Sequence, residues 1–587
     1  MILQALKEYY DRKFSEGQMP PLGFEIKEIP FLIVIDAQGN FISLEDTREP
    51  EGKRMVGKKF QVPSSEIRSG SKSYMTTNLL WDHIGYVLGI PKGDGPEERE
   101  LAKNQHAAWI ESIENLPAEI KEAPEIRAMI SFYENNGIEN VLKSEEIEDC
   151  KKIPGCNIAF RLNSELSPVP SGDLLKRYRK FQMESTDEKG ENVIGYDLVT
   201  GEIGQIVRLH RKTPINKDAD SLVSFQKNSG YDSYGKEQGY NSPVTKDTEF
   251  AYTTALNYLL KSEKRRMQVG DSHTVFWGGK ENKLEERFSV LFEEPESTDH
   301  DKDISPVREL FNSIKSGAYI GEDRDVPFYV LGLSPNSARI SIRFWENGKV
   351  GEYSERIKQY FDDFSIVKNA NNQEEPDFYP LQRILANIST LDKFENIPPS
   401  LAGNVMRAIL KGTLYPASML QLAVRRIRND TINRVTRVRA ATIKAYLNRY
   451  GEFYSNNKMK EITMKLDKTQ PSAGYQLGRL FAALERIQEK ANPNLNATIR
   501  ERYYGSACTS PITVFPTLLR LKNHHLAKIE NKGIVTMFEK ELGEIIGNVE
   551  FFPSHLDLHG QGMFAIGYYH QRQDFFTKKE EKPEVET

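Results

Sequence analysis

The apolar positions change their rhythm about two-thirds of the way along the chain. In the first part they come in short runs. Phe31–Ile35 (FLIVI) is uninterrupted and ends at the turn-like Asp36–Asn40, which predicts a buried strand, with Phe41–Leu44 as its hairpin partner. Further strands are predicted at Cys156–Arg161, Ile203–Leu209, Thr274–Trp277, Tyr329–Leu333 and Ile340–Trp345, and helices at the N-terminus (MILQALKEYYDRKF) and over Glu97–Asn115. Ser185–Asn192 and Glu294–Asp303 are polar and read as surface loops. The strands follow no regular βα alternation. After Pro398 helical spacing takes over, in Leu401–Leu410, Ala417–Asn429, Thr431–Tyr450, Tyr475–Ala491, Thr513–Ile529 and Val535–Gly547. Ser510 before Pro511 is a helix start. The pattern predicts an α+β protein: a mixed region over 1–395, a basic helical connecting segment over 396–463, a helical bundle over 464–577 and a disordered tail over 578–587.

Charge sharpens this division. The 587-residue chain has net charge −5, yet Val405–Arg449 holds ten Lys or Arg and a single acid, Asp430. Within Thr431–Tyr450, Arg434, Arg437, Lys444 and Asn448 fall in one arc of roughly 80° on a helix. Ile432, Val435, Ile443, Tyr446, Leu447 and Tyr450 gather opposite. One face is expected to pack and the other to present cations to a polyanion, because solvated helix faces usually mix signs. No apolar run reaches 18 residues and the N-terminus lacks signal-peptide features, so neither a membrane span nor export is expected. The three cysteines form no framework, which suits a reducing cytoplasm.

Candidate catalytic motifs fail on inspection. Gly52–Lys59 approaches a P-loop, but Lys59 stands where a hydroxyl should hold Mg²⁺. His555 and His559 lack a third ligand, Cys150 and Cys156 have no second pair, and Asp362–Asp363 reads as a solvated acidic pair. No catalytic residues, metal or cofactor are assigned. Two polar stretches carry more: Ser221–Val244, with Lys236, Gln238 and Asn241 among glycines, and Arg68–Trp81, with Asn78. Such side chains reach base edges and phosphates.

These stretches also carry a resemblance. MILQALKEYY, NLLWDHIGYVLG, YDLVTGEIGQIVRLH, LVSFQKNSGYDSYGKEQGYNSPV, FAYTTALNYLL, FYVLGLSPNSARISIRFW and FAIGYYHQRQDFF, in this order along nearly the whole chain, are similar to the Csd-type large subunit of the type I-C (Dvulg subtype) CRISPR Cascade. The resemblance implies a cytoplasmic, non-catalytic subunit of an RNA-guided antiviral complex, in which base pairing reads the target and protein reads a short adjacent motif. Its N-terminal region would recognise that motif (the PAM) in target double-stranded DNA. The helical part would line the R-loop and hold the non-target strand, and a helicase-nuclease would be recruited to do the cutting. Other implied partners are the crRNA-bound backbone subunits, the subunit on the crRNA 5′ handle, and a small subunit made from an internal start, here Met464 or Met459. Met464–Thr587 is 124 residues, enough for a bundle.

Within these blocks the residues assigned to motif reading are Asn78, Lys236, Gln238 and Asn241. Those assigned to the non-target strand are Arg434, Arg437, Lys444, Arg479, Arg486, Arg500, Arg502, Arg520, Lys522 and Lys528, with Arg500 and Arg502 unable to point the same way. Two alternatives remain open at this level: a stand-alone nuclease using Asp362 and Asp363, and a scaffold whose cations meet acidic protein partners.

Overall fold

A computed structural model describes residues 1–51, 54–66, 68, 72–184, 193–215, 221–227, 229–232, 234–289, 292, 312, 323–337, 339–368, 375–430, 434–454, 459–493 and 495–577. The loops expected at Ser185–Asn192 and Glu294–Asp303, Gly52 and Lys53 of the P-loop lookalike, and the tail Lys578–Thr587 lie outside these residues. The chain is α+β and forms two units, Met1–Lys212 with Leu222–Leu256, and Thr213–Ser221 with Asn257–Thr587.

In the first unit, helix α1 (Ile2–Ser15) precedes strands β1 (Phe24–Glu28), β2 (Phe31–Ile35), β3 (Phe41–Asp46), β4 (Glu49–Glu51), β5 (Arg54–Val56), β6 (Lys59–Pro63) and β7 (Trp81–His83). Helices α2 (Pro96–Glu114) and α3 (Pro124–Glu134), then β8 (Asn157–Leu162), β9 (Ile194–Tyr196), β10 (Ile203–Gln205) and α4 (Lys246–Lys261, in this unit as far as Leu256) follow. The main sheet has the order β3-β2-β8-β7, with β2 and β8 parallel. FLIVI lacks polar alternation because both its faces are covered. Phe31, Ile33 and Ile35 pack with Trp109, Phe132 and Phe160, and Leu32 packs on the other side with Val62 and Trp81. Arg54–Val56 pairs with β4 in a small antiparallel ladder, not the strand–loop–helix of a phosphate site.

In the second unit, β11 (Arg266–Val269), β12 (Ser272–Gly278), β13 (Pro327–Asn336) and β14 (Arg339–Lys349) form an antiparallel sheet in sequential order. Helices then follow: α5 (Val350–Asp363), α6 (Leu381–Ile388), α7 (Pro399–Lys411), α8 (Ala417–Asn429), α9 (Arg437–Tyr454), α10 (Ala473–Ala491), α11 (Ile499–Thr509), α12 (Pro511–Ala527), α13 (Lys532–Gly547) and α14 (Leu558–Asp574). One continuous core runs from Met267 and Phe276 through Phe344 to Phe481 and Phe564. The steps placed at residues 395 and 464 therefore fall inside this unit.

Helices α10 and α14 approach each other most intimately. A Cβ at Gly478 would collide with the carbonyl of Phe564, and one at Gly567 with that of Tyr475. Only glycine lets the two backbones meet here. Caps fix where the helices start. Thr498 and Glu501 form a capping box at α11, and the Asp557 carboxylate accepts from the Gly560 amide at 2.7 Å at α14.

Candidate nucleic-acid interface

Helix α9 begins at Arg437, so Arg434, expected on the same helix, precedes it, and Thr431 and Ile432 lie outside the described residues. The helix is enclosed, and the cations on it, Arg434 before it and Arg479 on α10 point into protein. Arg434 and Arg437 are 6% and 5% exposed, Lys444 4% and Arg439 and Arg479 0%. Their partners are largely main-chain carbonyls. Arg437 donates from Nη1 to Pro376 O at 2.7 Å and from Nε and Nη2 to Ile366 O at 3.3 Å, and lies over the Tyr379 ring. Lys444 Nζ donates to Asp363 O at 3.0 Å, and burial pulls its pKa down. Arg479 donates to Gln571 and Gln476 and pairs with Glu541 and Glu544. The solvent-facing cationic stripe read from Arg434, Arg437 and Lys444 is thus replaced by an internal one, and the outward position read for Arg479 by a fully buried one. The scarcity of acids misled because a carbonyl satisfies a guanidinium as a carboxylate does, without leaving a charge in the sequence.

Arg434 organises one end of the helical region. Its Nη1 donates to the carbonyls of Ile427 (3.3 Å) and Arg428 (2.9 Å) in the last turn of α8. Its Nη2 reaches Glu501 O at 3.4 Å in the first turn of α11, and its guanidinium lies 5.7 Å from the Tyr504 ring centroid. A cation at the end of α8 also complements the helix dipole. One buried side chain so fixes the main chains that carry Arg428 and Arg502.

Outside that knot is a second population of cations. Arg425 and Arg428 lie with Ser418 and Gln421 on the exposed side of α8, at positions i, i+3, i+7 and i+10. Arg502 on α11 and Arg520 on α12 are exposed, and Lys522 is half-buried. None of these five has an acidic partner among the described residues. Lys528 is exposed and donates to Asn492 at 3.2 Å. Arg486 pairs with Glu489 and covers the Phe576 ring. Arg500 turns inward to Glu501 at 2.9 Å and Glu485 at 3.8 Å, so the alternate arginines do point apart. Sequence reasoning passed over Arg425 and Arg428, although the polar stripe along Ala417–Asn429 was there to be read.

In the first unit Asn78 is buried. Its Oδ1 accepts from the Glu66 amide at 3.0 Å, and its own amide donates to Asp82 Oδ2 at 3.0 Å. Arg68 pairs with that same Asp82 oxygen and stacks over Tyr86. Burial raises the Asp82 pKa, and the neighbouring guanidinium opposes that rise. Asn78 therefore shapes its loop from within. Asn241 likewise holds the turn ahead of it, its Nδ2 donating to Lys236 O (3.0 Å) and Gln238 O (3.1 Å). Gln238 accepts from Arg208 and has φ +47°. Lys236 and Tyr234 are left pointing to solvent.

The rejected motifs sit elsewhere. His555 is exposed ahead of α14, whereas His559 lies within it with its ring 4.3 Å from that of Tyr450, so the two do not share a helix face. Cys150 and Cys156 are buried thiols with Sγ atoms 3.1 Å apart. Met464 is 48% exposed in the connection between α9 and α10. No helix among the described residues is long and apolar enough to cross a membrane.

No curated protein matches the chain at a significant level. The family of CRISPR-associated proteins described as Cas_Csd1 does, over residues 6–576. With that match covering nearly the whole α+β chain, the protein belongs to the Cas_Csd1 family and is a Csd-type large subunit of a CRISPR Cascade complex.

Proposed function

We propose that the chain is the non-catalytic large subunit of a type I-C Cascade. It reads the PAM in double-stranded DNA, helps open the R-loop, holds the displaced strand and recruits the helicase-nuclease that cuts it. The observation that carries this reading is the set of exposed cations without acidic partners, Arg425, Arg428 and Arg502, two of them on helix ends tied together by buried Arg434. Unneutralised guanidinium groups on a rigid support suit phosphates, whose release of counterions drives binding. Lys236 and Tyr234, presented by a turn that Asn241 braces, suit contact with the motif duplex.

The test is a gel shift of the assembled complex on target duplexes with and without a TTC-type motif, over a salt series. The R425A/R428A/R502A triple variant should bind more weakly on every sequence. Its slope of log K against log salt should flatten by about 0.7 for each single-strand phosphate that is no longer neutralised. K236A should leave that slope nearly intact and relax motif preference by about 1–3 kcal/mol. An unchanged slope in the triple variant would remove the strand-holding role.

A further inference from the structure

The hairpin of β9 and β10 is built with its apolar face outward. Tyr196 pairs with Ile203, and Ile194 with Gln205, so Ile194, Tyr196 and Ile203 share one face with Gln205; Leu198 follows in the turn. These four are 61%, 69%, 65% and 60% exposed. The opposite face is Gly195 and Gly204. Added Cβ atoms there would lie 3.2 Å from Ile206 Cγ1 and 2.8 Å from Thr245 Cγ2, so that face is pressed against its own unit.

The arrangement is held firmly. Asp197 Oδ1 accepts from the amides of Val199 (2.6 Å) and Thr200 (3.0 Å) in the turn. Its Oδ2 accepts from the Thr245 amide (2.7 Å) and hydroxyl (2.6 Å) just ahead of α4. Those bonds keep the Asp197 pKa below the usual carboxylate range against the effect of burial. The Leu198 amide donates to Pro243 O at 3.0 Å. A rigid mount with its large side chains to water gains nothing for folding, since those chains leave water only if something covers them.

We propose that this face docks on another protein subunit of the same complex. Val193–Ile206 contains two acids, Asp197 and Glu202, and no Lys or Arg. Although Lys7, Lys176 and Arg177 line the cavity beside Ile203, the exposed face itself is made of apolar side chains that offer a phosphate no cation, so it suits protein better than nucleic acid. Four side chains at this exposure present about 450 Å², within the range of functional patches on monomers and over half of the about 800 Å² that one side of a standard interface buries. The fitting partner surface is apolar, with a cation at its rim to meet Glu202. Tyr196 is the anchor, because a rigid aromatic ring with a polar tip contributes much contact area at small entropic cost. The inference rests on membership of a family that works in a multi-subunit complex, and not on which DNA motif is read.

Two measurements on the co-expressed, assembled complex test it. With benzoylphenylalanine in place of Tyr196, ultraviolet light should join this chain to one other protein subunit, identified by mass spectrometry. With Y196E/I203E, recovery of this chain in the purified complex should fall at least tenfold while its circular-dichroism melting stays unchanged. If that variant does not fold, the crosslink in the otherwise natural chain decides. Adducts only to nucleic acid, only to a second copy of this chain, or to nothing overturn the inference. So does full assembly of Y196E/I203E; a complex that assembles and binds DNA with its normal salt slope would sink this interface and leave the DNA reading standing.

Discussion

Arg449 donates from Nε to Asp363 Oδ2 at 2.7 Å, and the Tyr415 hydroxyl donates to the same oxygen at 2.9 Å. Burial raises the Asp363 pKa and Arg449 opposes that rise. A carboxylate so engaged is a structural partner, so of the acidic pair read as solvated only Asp362 is exposed and Asp363 is turned into the protein. Asp363→Ala should cost about 3–5 kcal/mol, because it removes the counter-charge of a buried guanidinium, which keeps as acceptors only the carbonyls of Ala408 and Thr413. Urea unfolding reads this directly, and added Mn²⁺ should not shift the curve of the natural protein.

Gly478→Val places a branched side chain where the Phe564 carbonyl lies. The α10–α14 pair cannot move apart without opening the core around Phe481 and Phe564. The variant should therefore lose cooperative melting of the helical part. Gly543→Val, on a helix where nothing approaches within 4 Å, should change stability by less than about 1 kcal/mol. Similar melting of both variants would refute the close-packing account.

His570 is buried beside the Tyr475 hydroxyl, 2.9 Å from Nδ1. Burial, helped by the nearby Lys444 charge, lowers its pKa from 6.5 to about 4. The folded protein thus resists protonation that the unfolded chain accepts. Stability from this group is complete above pH 6.5 and is lost as pH falls towards about 4, by about 3 kcal/mol in all. Denaturation midpoints between pH 7.5 and 4.5 should fall less steeply in His570→Gln than in the natural chain. Parallel profiles would show that the ring titrates normally.

A product starting at Met464 would contain α10 to α14 but not α8 and α9. In the full chain Leu420, Ile443 and Leu447 surround Gly562, and Tyr569 donates to Val367 O. Expressed alone, Met464–Thr587 should be helical by circular dichroism yet self-associate in sedimentation through this uncovered face of α14. A monodisperse monomer would mean that the face is repacked.

The α+β class, FLIVI, its hairpin and most helices of the second unit were legible in the sequence, FLIVI as an unbroken apolar run covered on both faces and the helices as apolar stripes at helical spacing. Helix α14 was not. It is buried almost all round and interrupted by Gly560, Gly562 and Gly567, so no amphipathic period marks it. The candidate interface was legible in part. Arg502 and Arg520 are exposed, but Arg434, Arg437 and Lys444 are not, because carbonyl partners leave no trace in composition, nor is Arg479, whose partners Glu541, Glu544 and Gln571 lie 62 to 92 residues further along the chain.

The buried cations Arg434, just ahead of α9, and Arg437, at its start, also impose an order on folding during synthesis. Arg437 finds Ile366 and Pro376, 71 and 61 residues upstream, so its acceptors already exist when it emerges. Arg434 takes one carbonyl from Glu501, 67 residues downstream. At translation rates of about 5–20 residues per second, that partner arrives about 3–13 s later. Until then the junction of α8 with α11 cannot close, and the nascent chain holds an incompletely partnered guanidinium at the place where its surface cations will later be displayed.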